Sequence, residues 1–183
     1  MKQALLIIDV QNDYFKGGKM ELYLPTEALK IIQRLEAYFI EQKLPIIYIQ
    51  HVNYQKGAEF FEANTQGVKL HPNLKIKDNS FVVEKQFPNS FFKTELSNLL
   101  NENHIEQLVI TGMMTHMCVD STTRAAAELG LHPLLITDTT ATRDLIFNGK
   151  KVNAESIQTA YLSALTKFPT VMTASDYLNS TQK

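Results

Sequence analysis

A single cysteine, Cys118, is the whole thiol inventory of this 183-residue chain, and tryptophan is absent. One thiol cannot close an internal disulfide, nor supply a four-thiolate zinc or iron–sulfur site. Glycine and proline are scarce, at 7 and 6 residues, which excludes collagen-like and low-complexity classes. No apolar run approaches the roughly 20 residues that a membrane-spanning helix needs. An excess of one charge sign is also missing. Lys and Arg number 18 against 19 Asp and Glu, a net of −1, so nothing marks a nucleic-acid or anionic-membrane partner.

What is present is ordinary for a folded domain: 44% hydrophobic, 20% charged and 9% aromatic residues. The length predicts one domain over residues 1–183, large enough to bury a core without disulfide or metal staples. Met1-Lys2-Gln3 leads straight into a strand-like stretch broken by Asp9. With no small-residue cleavage site, this start does not read as a signal peptide, and the expected location is cytoplasmic. No internal repeat occurs at solenoid periods.

Short apolar runs alternate with longer amphipathic ones. Ala4-Leu5-Leu6-Ile7-Ile8 is continuous rather than alternating, the pattern of a strand buried on both faces. Ile46–Ile49 after Pro45, Phe81-Val82-Val83, Leu108–Thr111 closed by Gly112, Leu134–Thr137 and Thr170-Val171-Met172 complete a set of six. Between them, helical spacing places one helix after a Thr26 cap, through Leu29, Ile32, Leu35 and Phe39. A second opens at Ser90 and runs through Leu96, Leu99 and Leu100. A third covers about Cys118 to Leu129 and stops at Gly130. A fourth covers about Ala154 to Leu165. Strand and helix in alternation predict parallel βαβ units. The expected fold is a three-layer α/β/α, doubly wound, mostly parallel sheet of about six strands, Rossmann-like in class. Ligands in such folds bind outside the carboxyl ends of the strands.

That rule selects three residues. The first strand ends at Asp9, the third at Glu84-Lys85, and the fourth leads through Gly112–Met117 to Cys118, where a helix begins. Singly, each has a bland reading: a turn cap, a solvated lysine, a small buried hydrophobe. Together they make a coherent chemistry. A helix N-terminus and a nearby ammonium favour thiolate at Cys118, and a carboxylate can take the thiol proton and pass it to a leaving amine. Backbone N–H groups at a helix start lack intrahelical partners and can face a developing oxyanion.

With these residues in view, the sequence resembles the isochorismatase-like cysteine hydrolases, which include nicotinamidases and N-carbamoyl amidohydrolases. The matching pieces are Leu6-Ile7-Ile8-Asp9-Val10-Gln11-Asn12-Asp13, Glu84-Lys85 with Asn89-Ser90-Phe91, and Gly112-Met113-Met114-Thr115-His116-Met117-Cys118-Val119. Thr122, Thr123, Arg124, Gly130, Asp138 and Thr140 extend the likeness across nearly the whole chain. The resemblance implies a catalytic triad of Asp9, Lys85 and Cys118. It implies a cis peptide between Met113 and Met114, and an oxyanion hole from the Met114 and Cys118 N–H groups. It further implies attack on a small carboxamide or carbamoyl carbon, and assembly as a homodimer or larger homo-oligomer. Isochorismatases proper share the fold but cleave a vinyl ether without a cysteine nucleophile, so Cys118 disfavours that activity.

Metal-binding nicotinamidases carry Asp-x-His just past the second strand, where this sequence has His51-Val52-Asn53. One histidine makes a poor zinc site, so no metal is expected. Phe15, His51, Phe87 and His116 flank the motifs and are candidates for lining the substrate pocket. Gly17-Gly18-Lys19 lacks the spacing of a phosphate loop, and no G-x-G-x-x-G occurs, so no cofactor is expected. Two other classes remain: a catalytically silent family member that binds a metabolite or partner, and a redox thiol protein, which would need a partner thiol.

Overall fold

The computed structural model describes residues 1–77 and 79–181. In chain order the elements are β1 (Gln3–Ile8), α1 (Pro25–Glu41), β2 (Ile46–His51), β3 (Phe81–Lys85), α2 (Leu96–Glu102), β4 (Gln107–Met113), α3 (Asp120–Glu128) and β5 (Leu134–Ala141). They continue as β6 (Leu145–Phe147), β7 (Lys150–Val152), α4 (Ala154–Leu165), β8 (Thr170–Met172) and α5 (Ala174–Ser180). Six strands form one sheet in the order β3-β2-β1-β4-β5-β8, every neighbouring pair parallel. The order reverses between β1 and β4, the switch point at which such sheets open a crevice.

The apolar run of β1 is divided between two cores. Leu5 and Ile7 pack with Leu29, Ile32, Leu35 and Phe39 of α1 and Tyr177 of α5. Ala4, Leu6 and Ile8 pack on the other face with Leu96 and Leu100 of α2, Ala126 of α3 and Leu165 of α4. Alternate residues of a strand face opposite ways, so a strand between two helical layers must be apolar throughout.

The expected three-layer sheet is present, with local departures. Thr26 does not cap α1. Pro25 occupies the first turn, where its missing N–H costs nothing, and Leu24 precedes it in a left-handed conformation. Ser90 does not open α2, which starts at Leu96; Ser90 is buried and donates its backbone N–H to Thr122 Oγ1 at 3.0 Å. The third helix does not begin at Cys118. A π-turn spans Thr115–Val119 and passes into α3. Gly112 does not close β4 but lies within it at φ +121°, so close to β1 that a β-carbon would collide with the Ile8 carbonyl. The register against β5 shifts between Ile110 and Gly112. The β6–β7 hairpin and α5 lie outside the sequence expectation. The hairpin turns at Asn148-Gly149, both at positive φ, as a tight two-residue turn requires.

Candidate active site

Three strand ends bring three side chains to one point. Asp9 directly follows β1 and takes the left-handed conformation, φ 52°, while its N–H still donates to Ile49 O at 3.1 Å. Lys85 ends the edge strand β3, in register with His51 of β2. Its side chain reaches back across β2 to Asp9. Cys118 sits in the π-turn, where the extra residue per turn sets it off the line that α3 would otherwise dictate. The Met113–Met114 peptide leading into the turn is cis.

The Lys85 ammonium is at the centre. Its Nζ donates to Asp9 Oδ2 at 2.7 Å, to Cys118 Sγ at 3.2 Å and to His51 Nδ1 at 2.9 Å. An ammonium has three donors and no acceptor, so His51 Nδ1 accepts and the ring proton of neutral His51 lies on Nε2. The side chains of Asp9 and Lys85 are wholly buried. Asp9 Oδ1 has no hydrogen-bond partner among the described residues. A buried carboxylate oxygen left bare beside a thiol is an acceptor held in reserve.

Burial sets the protonation states. It pushes the Cys118 thiol up from its ordinary value; Asp9 adds to this, and Lys85 opposes it. Burial thus opposes the thiolate that the helix start and Lys85 favour. Burial also works against the Lys85 charge, but Asp9, then Cys118, outweigh it, and its pKa stands raised. Burial, then Lys85, push His51 down to about 4, with Asp9 opposing.

Residues to which the sequence reading assigned no role hold the arrangement. Gln11 clamps the end of β2: its Oε1 accepts from His51 N at 2.8 Å, and its Nε2 donates to His51 O at 2.9 Å and to Val68 O at 2.6 Å. Buried Asp13 accepts from Phe61 N at 2.6 Å and Lys19 N at 3.1 Å, and the Phe61 ring lies 5.9 Å from His51. Gly67 is needed there, because a β-carbon would run into the Asp13 carboxylate. Thr115 Oγ1 donates to Gln158 Oε1 at 2.7 Å, and Gln158 Nε2 donates to Thr140 Oγ1 at 2.6 Å, which ties the π-turn to β5 and α4. The signal for Gln11 and Asp13 was available, since both lie in the run that starts at Asp9.

Of the four expected pocket residues, the structure brings one, His51, to the charged cluster. Phe87 lies beside it, 41% exposed, and with Glu84, Lys85, Gln86 and Lys93 lines a cavity of about 230 Å³. Phe15 is buried and packs on His71, ring centroids 4.3 Å apart. His116 is buried with its Nδ1 engaged by Thr142 Oγ1 at 2.6 Å, so it braces the π-turn against the segment after β5.

A resident metal does not fit. The ligand atoms of Asp9, His51 and Cys118 lie within 4.8 Å of one another, but the Lys85 ammonium contacts all three. The histidine position of the Asp-x-His pattern is held by Asn53, whose Oδ1 accepts from Gln55 N at 3.0 Å. A buried ammonium already supplies the cation for these donors.

The isochorismatase domain model matches residues 3–176. This chain belongs to the isochorismatase family. It is 39% identical over 179 residues to the uncharacterized isochorismatase family protein YddQ of Bacillus subtilis, covering 97% of this chain and 99% of that one. The crystal structure of an isochorismatase hydrolase from Oleispira antarctica superposes with a TM-score of 0.93 at 38% identity, covering 97% of this chain and 96% of that one. More distant relatives include a streptothricin hydrolase of Streptomyces noursei, 29% identical over 78% of this chain and 51% of that protein. The nicotinamidase of Escherichia coli is 27% identical over 74% of this chain and 81% of that one. The chain is accordingly an isochorismatase-family hydrolase with the α/β fold of that family. Among the described residues, no helix is long and apolar enough to cross a membrane.

Proposed function

We propose that this isochorismatase-family hydrolase is a cysteine amidohydrolase, a single catalytic domain that cleaves a C–N bond of a small carboxamide, carbamoyl or related substrate. The observation that carries this reading is the Lys85 ammonium held between the Asp9 carboxylate and the Cys118 sulfur. Nicotinamidase, among the relatives, is named for hydrolysis of an amide.

Asp9 accepts the Cys118 thiol proton through its bare Oδ1 as substrate arrives, while Lys85 stabilises the sulfur charge that forms. The thiolate attacks the carbonyl carbon, and the N–H groups of Met114 and Cys118 receive the oxyanion. Protonated Asp9 then gives its proton to the departing nitrogen as the C–N bond breaks, leaving a thioester and a free amine or ammonia. Water, deprotonated by Asp9, attacks the thioester. The C–S bond breaks, the sulfur regains a proton, and the acid leaves. The sum is amide plus water to acid plus amine, with Asp9, Lys85 and Cys118 restored.

The test is ammonia or amine release over a panel of amides, ureido acids and carbamoyl compounds, with Cys118→Ala run in parallel. Release by the wild type and none by Cys118→Ala is expected. Equal release by both would overturn the proposal, as would silence across the panel.

A further inference from the structure

The Lys85 ammonium has three N–H bonds and three acceptors, and only two of these, Asp9 and Cys118, enter the reaction just described. The third is His51, which could have pointed elsewhere. Its backbone is clamped on both sides by Gln11, through 2.8 and 2.9 Å bonds, and its ring lies against Phe61, itself fixed by Asp13. The chain thus uses three residues besides His51, namely Gln11, Phe61 and Asp13, to present one imidazole nitrogen to a lysine already neutralised by a carboxylate. A buried ammonium with an unused N–H would carry a desolvation penalty and would be free to rotate about its terminal bond.

We propose that His51 is a positioning residue: its Nδ1 takes the third N–H of Lys85 and so fixes the ammonium with one N–H aimed at the Cys118 sulfur. This rests on the amidohydrolase reading only for its consequence in turnover; the geometry itself concerns the resting protein. With Nδ1 accepting, the ring proton sits on Nε2, and the His51 side chain is 17% exposed. Loss of the Nδ1 acceptor lets Lys85 swing, weakens its support of the sulfur charge and slows every reaction of the thiolate.

The experiment is a double-mutant cycle read by the rate of Cys118 alkylation with iodoacetamide, without substrate, across pH. His51→Leu is expected to slow alkylation near neutral pH about tenfold, the effect of raising a thiol pKa by one. Lys85→Met is expected to slow it as much or more. The double variant should be no slower than Lys85→Met alone, because His51 then has nothing to position. Strictly additive effects would overturn the proposal.

Two isosteres keep the question decidable if Lys85→Met does not fold. Asn places its amide oxygen where His has Nδ1, whereas Gln places its own near Nε2. His51→Asn should recover alkylation to within about threefold of wild type, and His51→Gln should behave as His51→Leu. The reverse order, or equal loss in both, would also overturn it. In turnover, the His51→Asn and His51→Gln pair should differ in kcat with KM little changed. A difference confined to KM would make His51 a substrate contact instead. Alkylation needs no turnover, so a coupled cycle beside a silent substrate panel would sink the amidohydrolase reading and leave the positioning role standing.

Discussion

The chemistry turns on the state of one sulfur. Cys118 is 4% exposed, and burial, then Asp9, push its pKa up while Lys85 opposes them. The same Asp9 that is proposed to remove the proton therefore suppresses its spontaneous loss. Two effects of opposite sign follow from Asp9→Asn. Turnover should fall by roughly 10²–10⁴-fold, as expected for loss of a general base. Iodoacetamide alkylation of Cys118 without substrate should become faster at a given pH, because a nearby negative charge is gone. Slower alkylation in Asp9→Asn would show that Asp9 is not raising the thiol pKa. Cys118→Ala should abolish turnover with a nearly unchanged thermal midpoint, since one small buried atom is lost. Cys118→Ser should be almost as inactive, a hydroxyl being much harder to ionise with the same base.

At the level of elements, the site depends on joints between strand ends and helix starts. The segment that leaves β3 after Lys85 is fastened to α3 by one buried pair. Ser90 N donates to Thr122 Oγ1 at 3.0 Å, the two hydroxyls lie 2.9 Å apart, and Thr122 Oγ1 also reaches Pro88 O at 3.3 Å. Thr122→Val keeps the shape but leaves the Ser90 groups without their partner, a loss of about 1–3 kcal/mol. In a chain of this size, each kcal/mol lowers the thermal midpoint by about 2–4 °C. Calorimetry of Thr122→Val measures this directly, and an unchanged midpoint would mean that the joint is not holding. Also on α3, Arg124 pairs with Asp120 at 2.9 Å and lies over the Phe168 ring at 4.5 Å, which steadies the helix just beyond the π-turn.

For the whole molecule, two expectations concern metal and pH. Exhaustive chelation should leave activity on the best substrate unchanged, and nicotinamide should be a poor substrate, because Lys85 stands among the donors a metal would need. One tightly held zinc or iron per chain, with activity lost on its removal, would contradict this. The pH dependence of stability follows from His51, held near 4 against an ordinary 6.5. A depressed histidine means that the unfolded chain binds the proton first as pH falls. Stability should thus be full above about 6.5 and decline toward pH 4, by at most about 3 kcal/mol from this residue. Burial lowers His71 and His116 in the same direction. Denaturant unfolding at pH 7 and pH 5 should show a smaller difference in His51→Asn than in wild type.

The sequence by itself determined the layers. Runs such as Leu5 to Ile8, apolar at every position, read as strands covered on both faces, and helical spacing from Leu29 to Phe39 reads as a helix covering one of them. It also placed Asp9 and Lys85 at strand ends and Cys118 a few residues beyond one, because a strand end is where an apolar run stops. Tertiary structure decided what local pattern cannot encode. Lys85 meets His51 because β2 and β3 pair in that register, a contact between segments 34 residues apart. Ser90 reads as a helix cap by type, yet it is used to hold Thr122, 32 residues on. The π-turn at Thr115–Val119 has no composition of its own; Gln158 of α4 holds it from outside. Burial of the sulfur is likewise decided by the fold. A lysine and a helix start near a cysteine favour thiolate in water, but the sign of the balance depends on how much water is removed, and burial is a property of the assembled fold.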